Sequence, residues 1–349
     1  MILVTGGTGL VGSHLLVELL KSGKNVRAIF RNEKKLDSVK RVFFYYFPKT
    51  EAEFFFEKID WVKAEINDIP SLEIAFPDVT QVFHCAALVS FDPSDNKKLR
   101  KINIEGTANV VNLCISNKVE KLCLVSSIAT LDLKPGEEEI SEISIWNPAE
   151  NHSMYAITKY GAEMEAWRAS QEGIPVVIVN PGVIIGPGFW ESGSGKIFKK
   201  VKNGLNFYFP KITGFVGVKD VVKIMAELME RPVKNEQFIL VAENVSFKHI
   251  FEQVAVVLGK SPPSKALKPW MLNLGWIFQK IFGFATNKPR NLTSQSRKSL
   301  FKSTFYSSEK IKILLDYEFK KIDDVISETA ENFKRDLEKQ NPRSKQDKE

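Results

Sequence analysis

The chain has 349 residues, 44% of them hydrophobic and 26% charged, which suits an ordinary soluble globular protein of two domains or one large one. Its formal charge of +7 is spread without a run of five like charges, and no nucleic-acid motif accompanies it, so nucleic acid is not among the expected partners. No stretch has 18 consecutive apolar residues, which excludes a spanning helix. Met1 leads at once into an apolar run that glycines interrupt, a first strand and not a signal peptide. The three cysteines, Cys85, Cys114 and Cys123, lie in apolar patterns and read as reduced core residues of a cytoplasmic protein. The four histidines have no metal-ligand spacing, and no metal site is expected.

Met1–Gly12 reads MILVTGGTGLVG, an apolar strand breaking into a loop with glycines at 6, 7, 9 and 12, with a helical pattern following to about residue 22. Strand, glycine turn and helix together seat a dinucleotide pyrophosphate. The glycines allow a tight turn, and the free N–H groups and helix dipole meet the phosphate charge. The triplet reads either as Gly7-x-Gly9-x-x-Gly12 or as Gly6-x-x-Gly9-x-x-Gly12, and alone it is a weak signal. A second strand, Val26–Phe30, ends at Arg31, with Lys34 and Lys35 close behind and Glu33 the nearest acid. An acid there favours NAD through the ribose 2′-hydroxyl, whereas arginine accommodates a 2′-phosphate. The expectation is therefore NADP(H) over NAD(H), against the blander reading of Arg31 as a solvated loop charge.

The aromatic stretch over about residues 40–58 reads as a helix–turn–helix insertion whose rings serve packing. A third strand, Ile59–Lys63, follows, and Ser71 is expected to cap the next helix. The fourth strand, Gln81–Ala87, ends in small residues that let a cofactor lie close to the backbone, and His84 reads as a structural histidine. A helix over about 94–117, a fifth strand Lys121–Val125, an acidic loop to His152, a helix over about 153–171 and a sixth strand Val176–Asn180 complete the alternation. Short β-branched runs alternating with helices indicate an α/β, Rossmann-type, doubly wound parallel sheet.

Tyr155 and Lys159 stand at i and i+4, on one helix face. A lone Tyr-x-x-x-Lys is nearly worthless, and its weight comes from following the strand that ends in Ser126-Ser127. Those serines belong at the carboxyl edge of the sheet, where open α/β folds bind ligands.

With these residues in order, the chain resembles the extended short-chain dehydrogenases/reductases of the NAD-dependent epimerase/dehydratase family. It looks closest to members like dihydroflavonol reductases and hydroxysteroid dehydrogenases. The matching motifs are Thr5-Gly6-x-x-Gly9-x-x-Gly12, His84-x-Ala86-Ala87, Asn103-x-x-Gly106-Thr107, Ser127, Tyr155-x-x-x-Lys159, Pro181-Gly182 and Phe215-Val216-x-Val218-x-Asp220-Val221. The resemblance implies Tyr155 as general acid, with the Lys159 ammonium and the cofactor's positive ring lowering its pKa and Lys159 also holding the nicotinamide ribose. Ser127 would bond the substrate oxygen, and Asn103 would support Lys159 through a water. It further implies cofactor contacts from Thr5, Gly6, Gly9, Leu10, Val11, Gly12, Arg31, Glu65, Ile66, Ala86, Ala87, Tyr155, Lys159, Pro181, Gly182 and Val183. The chain departs from the usual pattern at Asp132, Asn180 and Glu65.

In extended members a smaller, mainly helical C-terminal substrate domain is built from discontinuous segments. The expectation here is 1–186 with 213–243 for the nucleotide domain, 187–212 with 244–340 for the substrate domain, and 341–349 as a disordered tail. The substrate segments are rich in aromatics, which suits an apolar small molecule. For residues 266–284, core packing is preferred to a substrate lid or peripheral membrane contact. The favoured function is reduction of an apolar ketone or aldehyde, or oxidation of the alcohol. A nucleotide-sugar epimerase or dehydratase with tightly bound NAD is the alternative, and a regulator without turnover is disfavoured. The family habit implies a homodimer through the helices at 94–117 and 153–171.

Overall fold

A computed structural model describes residues 1–268, 270–271 and 301–340. The expected tail and most of the 266–284 segment lie outside the described residues. Strand β1 (Ile2–Thr5) runs through the glycine loop into α1 (Leu10–Lys21), and β2 (Val26–Phe30) follows. The aromatic insertion forms α2 (Leu36–Phe43) and α3 (Lys49–Glu57) ahead of β3 (Asp60–Lys63). Next come α4 (Ile69–Glu73), β4 (Gln81–His84), α5 (Asn96–Leu99), α6 (Gly106–Ser116), β5 (Lys121–Val125), α7 (Met154–Gln171) and β6 (Val176–Pro181). The chain continues with β7 (Val183–Ile185), α8 (Gly195–Lys202), β8 (Phe207–Tyr208), β9 (Ile212–Gly217), α9 (Val218–Glu230) and β10 (Glu236–Leu240). Last are β11 (Glu243–Ser246), α10 (Phe247–Leu258), β12 (Lys265–Ala266), α11 (Glu309–Leu315) and α12 (Ile322–Gln340).

Seven strands form one sheet in the order β3-β2-β1-β4-β5-β6-β10, with every neighbouring pair parallel. The chain winds outward from β1 in one direction and resumes at β4 on the other side. The switch point thus lies between the carboxyl ends of β1 and β4, where an open α/β sheet has its crevice.

Period-two alternation decides which helices each strand residue meets. Val4, Phe83, Cys123, Val125 and Val179 pack in one layer with α1 and α9 residues such as Leu16, Val221 and Met225. Their neighbours Leu3, Val82, Leu122, Leu124 and Ile178 pack on the opposite face with Val110, Val111, Ala166 and Ala169 of α6 and α7. Both faces are covered, as a parallel sheet requires.

The expected long helix from 94 to 117 is interrupted. Arg100–Glu105 between α5 and α6 is a π-turn, and it carries Asn103. Strand β4 stops at His84, earlier than expected, and β6 runs one residue longer, through Pro181. Ser71 does not cap α4: its hydroxyl donates to the Asp68 carbonyl and accepts from the Glu65 N–H, stitching the preceding turn.

A separate apolar cluster joins α8, β9, α10 and α12 through Phe198, Phe215, Ile250, Val254, Ile326 and Phe333. The α2–α3 hairpin is tied to it at one carboxylate. Asp336 of α12 accepts from the Tyr45 hydroxyl and, at 2.8 Å, from the Trp190 indole.

Candidate active site

The glycine loop separates residues the fold requires from one it does not. A Cβ on Gly6, whose φ is +70°, would lie 2.6 Å from the Ala86 nitrogen, and a Cβ on Gly12 would lie 2.2 Å from the Gly6 carbonyl oxygen. Both positions exclude side chains through the protein's own packing. A Cβ on Gly9 would approach nothing closer than that same oxygen at 3.4 Å. Gly9 is the N-cap of α1 and makes no side-chain cap, so the helix N-terminus, with the N–H groups of Leu10, Val11 and Gly12, is left open at the switch point. Open backbone donors at a bare helix start fit a pyrophosphate.

Beneath the loop runs a buried relay whose proton directions can be assigned. The Ala86 N–H donates to the Thr5 hydroxyl, which donates to His84 Nδ1 at 2.7 Å. His84 Nε2 bonds the Thr107 hydroxyl at 2.9 Å, and that hydroxyl donates to the Asn103 carbonyl at 2.6 Å. Thr107 can therefore only accept from His84, which fixes the neutral Nε2–H form. Burial, and secondarily the charge of Lys159, pushes the His84 pKa down to about 3. His84 is a strut between β1, β4 and the π-turn.

The three residues expected to carry chemistry meet at the carboxyl end of β5. Ser127 caps a short 3-10 turn by accepting from the Ala129 N–H. Ser153 caps α7 by accepting from the Ala156 N–H, which places Tyr155 in the first turn of that helix. The Ser127 hydroxyl is a neighbour of the Tyr155 phenol and favours its ionised form. Lys159, 2% exposed, donates from Nζ to the Val125 carbonyl at 2.7 Å. Burial pushes Lys159 down to about 8, against the opposing pull of Glu163 and Cys85.

Two features bear on what the resemblance implied for Tyr155 and Asn103. Among the protein's own groups, burial raises Tyr155 above its usual range, with the neighbouring Ser127 hydroxyl opposing; the lowering implied by the resemblance comes from Lys159 together with the cofactor's positive ring. The Lys159 ammonium is turned to the β5 carbonyl. Asn103 spends its side chain elsewhere than on Lys159, accepting from the Leu88 N–H and donating to the Leu88 carbonyl and the Thr158 hydroxyl.

The remaining expected contacts lie along the same edge. Ala86 and Ala87 follow β4, Pro181 ends β6, the Gly182 N–H donates to Leu240, and Val183 opens β7. Ile66 is buried against Gly106. Arg31 reaches Glu65 at 3.3 Å, with both side chains about half exposed at 55% and 49%.

Sequence reasoning passed over several neighbours. Glu163, 3% exposed, lies one turn beyond Lys159, and its Oε1 accepts from Thr130 Oγ1 at 2.8 Å and Asn180 Nδ2 at 2.7 Å. The signal that could have found it is the i, i+4, i+8 series Tyr155, Lys159, Glu163. Phe91, 59% exposed, sets its ring edge-to-face with Tyr155 at 5.6 Å between centroids.

Known proteins resemble this chain in sequence and in fold. The chain is 28% identical over 288 residues to a putative dihydroflavonol 4-reductase of Synechocystis sp., covering 80% of this chain and 78% of that protein. It is 30% identical over 264 residues to tetraketide alpha-pyrone reductase 2 of Arabidopsis thaliana, covering 72% and 80%. The solved structure of gox2253 superposes with a TM-score of 0.78 at 25% identity, covering 96% of this chain and 98% of that one. A UDP-glucose 4-epimerase from Thermotoga maritima superposes at 0.73 with 21% identity, over 96% and 99%, a likeness of fold alone. The family model described as Male sterility protein, an NAD-binding family, matches residues 4–231, and the chain belongs to that family, among the NAD(P)-dependent extended short-chain dehydrogenases/reductases.

Proposed function

We propose that the protein is an NADP(H)-dependent reductase of an apolar ketone or aldehyde. The observation that supports it most is the convergence of Ser127, Tyr155 and the buried Lys159 at the carboxyl edge of the sheet, Ser127 just after β5 and the other two one turn apart on α7. A bound reduced nicotinamide supplies the hydride to the carbonyl carbon. Tyr155, kept protonated at neutral pH by burial, gives its proton to the carbonyl oxygen, while Ser127 donates a hydrogen bond to that oxygen and orients it. Lys159 carries positive charge near the oxygen and holds the ribose.

The reductase reading draws on the names of the two relatives, both reductases. The apolar substrate draws on Phe91 and Val89, each 59% exposed on the loop that touches Tyr155. The NADP preference rests on Arg31. Its pair with Glu65 is solvent-exposed and worth at most about 1 kcal/mol, so it gives way to a 2′-phosphate. The cluster around α8, α10 and α12 would form the substrate domain, and α6 and α7 the contact of a homodimer.

The test is a screen of NADPH consumption over ketones and aldehydes graded from sugars to sterol-like compounds. Turnover of apolar carbonyls is expected. NAD that co-purifies and resists dialysis, without net NADPH consumption, would overturn the reading in favour of an epimerase. Arg31→Ala should reduce the preference for NADPH over NADH about tenfold, one ion pair's worth; equal affinities in the parent would defeat the ribose argument.

A further inference from the structure

We propose that Glu163 is the buried counter-charge of Lys159 and, through Thr130 and Asn180, the residue that fixes the Ser127 turn. The inference rests on the site reading above, and Glu163 acts in it as a positioning residue. Of the two groups that reach Glu163 Oε1, the Asn180 amide can only donate and the Thr130 hydroxyl has one proton to give, an arrangement that accommodates an ionised carboxylate. The same two groups reach the Ser127 carbonyl, Thr130 at 2.8 Å and Asn180 at 3.2 Å, so the single Thr130 proton is shared between that carbonyl and the carboxylate. One carboxylate therefore orients the two clamps that hold the backbone of Ser127.

Lys159 gives the second half of the argument. Its ammonium has three protons to place and one hydrogen bond, to Val125. A cation this buried stays charged only beside an anion. Among the described residues, the titratable groups that bear on it are Glu163, Cys85 and His84, with Tyr155 one turn back on the same helix. Burial holds the Cys85 thiol and the Tyr155 phenol protonated, and the relay holds His84 neutral. Glu163 is the anion that remains. Lys159 and Glu163 sit one turn apart on α7, so the charge is balanced across a helical turn and the ammonium stays free to face Val125 and the site.

The test reads the charges directly, by NMR of protein labelled at lysine Cε and Nζ, tyrosine Cζ and glutamate Cδ. Lys159 is identified by its loss in Lys159→Met, and its midpoint in the parent should lie near 8. Glu163→Gln keeps the size of the side chain and an acceptor for both clamps while removing the charge. In that variant the Lys159 midpoint should fall by about one unit or more, with native methyl dispersion retained. A Lys159 midpoint unchanged in Glu163→Gln overturns the proposal; a merely structural role would not move it. Should the variant fail to fold, the parent decides: the Glu163 Cδ signal must inflect at the Lys159 midpoint, and its absence overturns the proposal equally. Neither measurement uses a carbonyl substrate, so a silent NADPH screen would defeat the reductase reading without touching this one.

Discussion

The two ends of the site, the β1/β4 cradle and the β5/α7 proton centre, are held together by different physics. The cradle is fixed by backbone overlap, with Gly6 against Ala86 and Gly12 against Gly6, and by a relay whose histidine stays neutral. Nothing in that relay changes protonation near neutral pH. The proton centre is made of side chains whose charges burial has shifted: Tyr155 and Glu163 upward, and Lys159 down to about 8. In the proposed enzyme the protonation of the cradle is thereby insulated from pH near neutrality, while that of the proton centre is exposed to it.

Four measurements would break or sharpen that contrast. The largest effect should come from Gly12→Ala, which pushes a methyl onto a carbonyl oxygen 2.2 Å away and should cost on the order of 4 kcal/mol in urea denaturation. Stability within 1 kcal/mol of the parent would show that the cradle yields. Tyr155→Phe should lower turnover about 1,000-fold, or ~4 kcal/mol, with NADPH affinity unchanged by fluorescence titration. A joint loss of binding would mean that the two ends are not separate.

Acid should then destabilise the cradle. His84 and His14 are held down to about 3 and about 4, below the ordinary value of 6.5. The unfolded chain therefore takes up protons that the folded one refuses, and stability falls as pH drops below about 6.5. Each histidine should remove about 3 kcal/mol between pH 6.5 and 4, and His84→Gln should flatten the dependence. A parent stability flat from pH 7 to 4 would contradict the neutral relay. The smallest change in stability should come from Gly9→Ala, within about 1 kcal/mol, because space is open there. The same methyl should nevertheless weaken NADPH binding about tenfold or more, at a cost of ~1.4 kcal/mol; unchanged affinity would show that the open N-terminus is not where the phosphates lie.

The cradle was legible in the sequence because its parts are local: strand, glycines and helix fall within residues 2–21, and the constraint is backbone geometry. The doubly wound parallel class followed from the alternation of short β-branched runs with helices, and the strand order came from the structure. The proton centre was legible only in outline. Ser127, Tyr155 and Lys159 were found by order along the chain, but the orientation of Lys159 toward Val125 depends on how α7 docks on β5. Glu163 escaped, and Asn180 was noticed only as a departure from the family pattern, because the meaning of each comes from a partner 17 residues away. The π-turn at Asn103 broke a helix that periodicity alone reads as continuous, since three side-chain bonds to Leu88 and Thr158 reward the distortion.

The Asp336 carboxylate has a consequence for how the chain is made. Tyr45 waits 291 residues for its partner, so on the ribosome the α2–α3 hairpin emerges long before the helix that latches it. Through most of synthesis the rings of Phe44, Tyr45, Tyr46 and Phe47 lack part of their final cover, a window in which a chaperone can hold them. Docking of α12 is therefore a late step of assembly: a chain cut before residue 336 should release the aromatic hairpin from its tether and become a substrate for proteases.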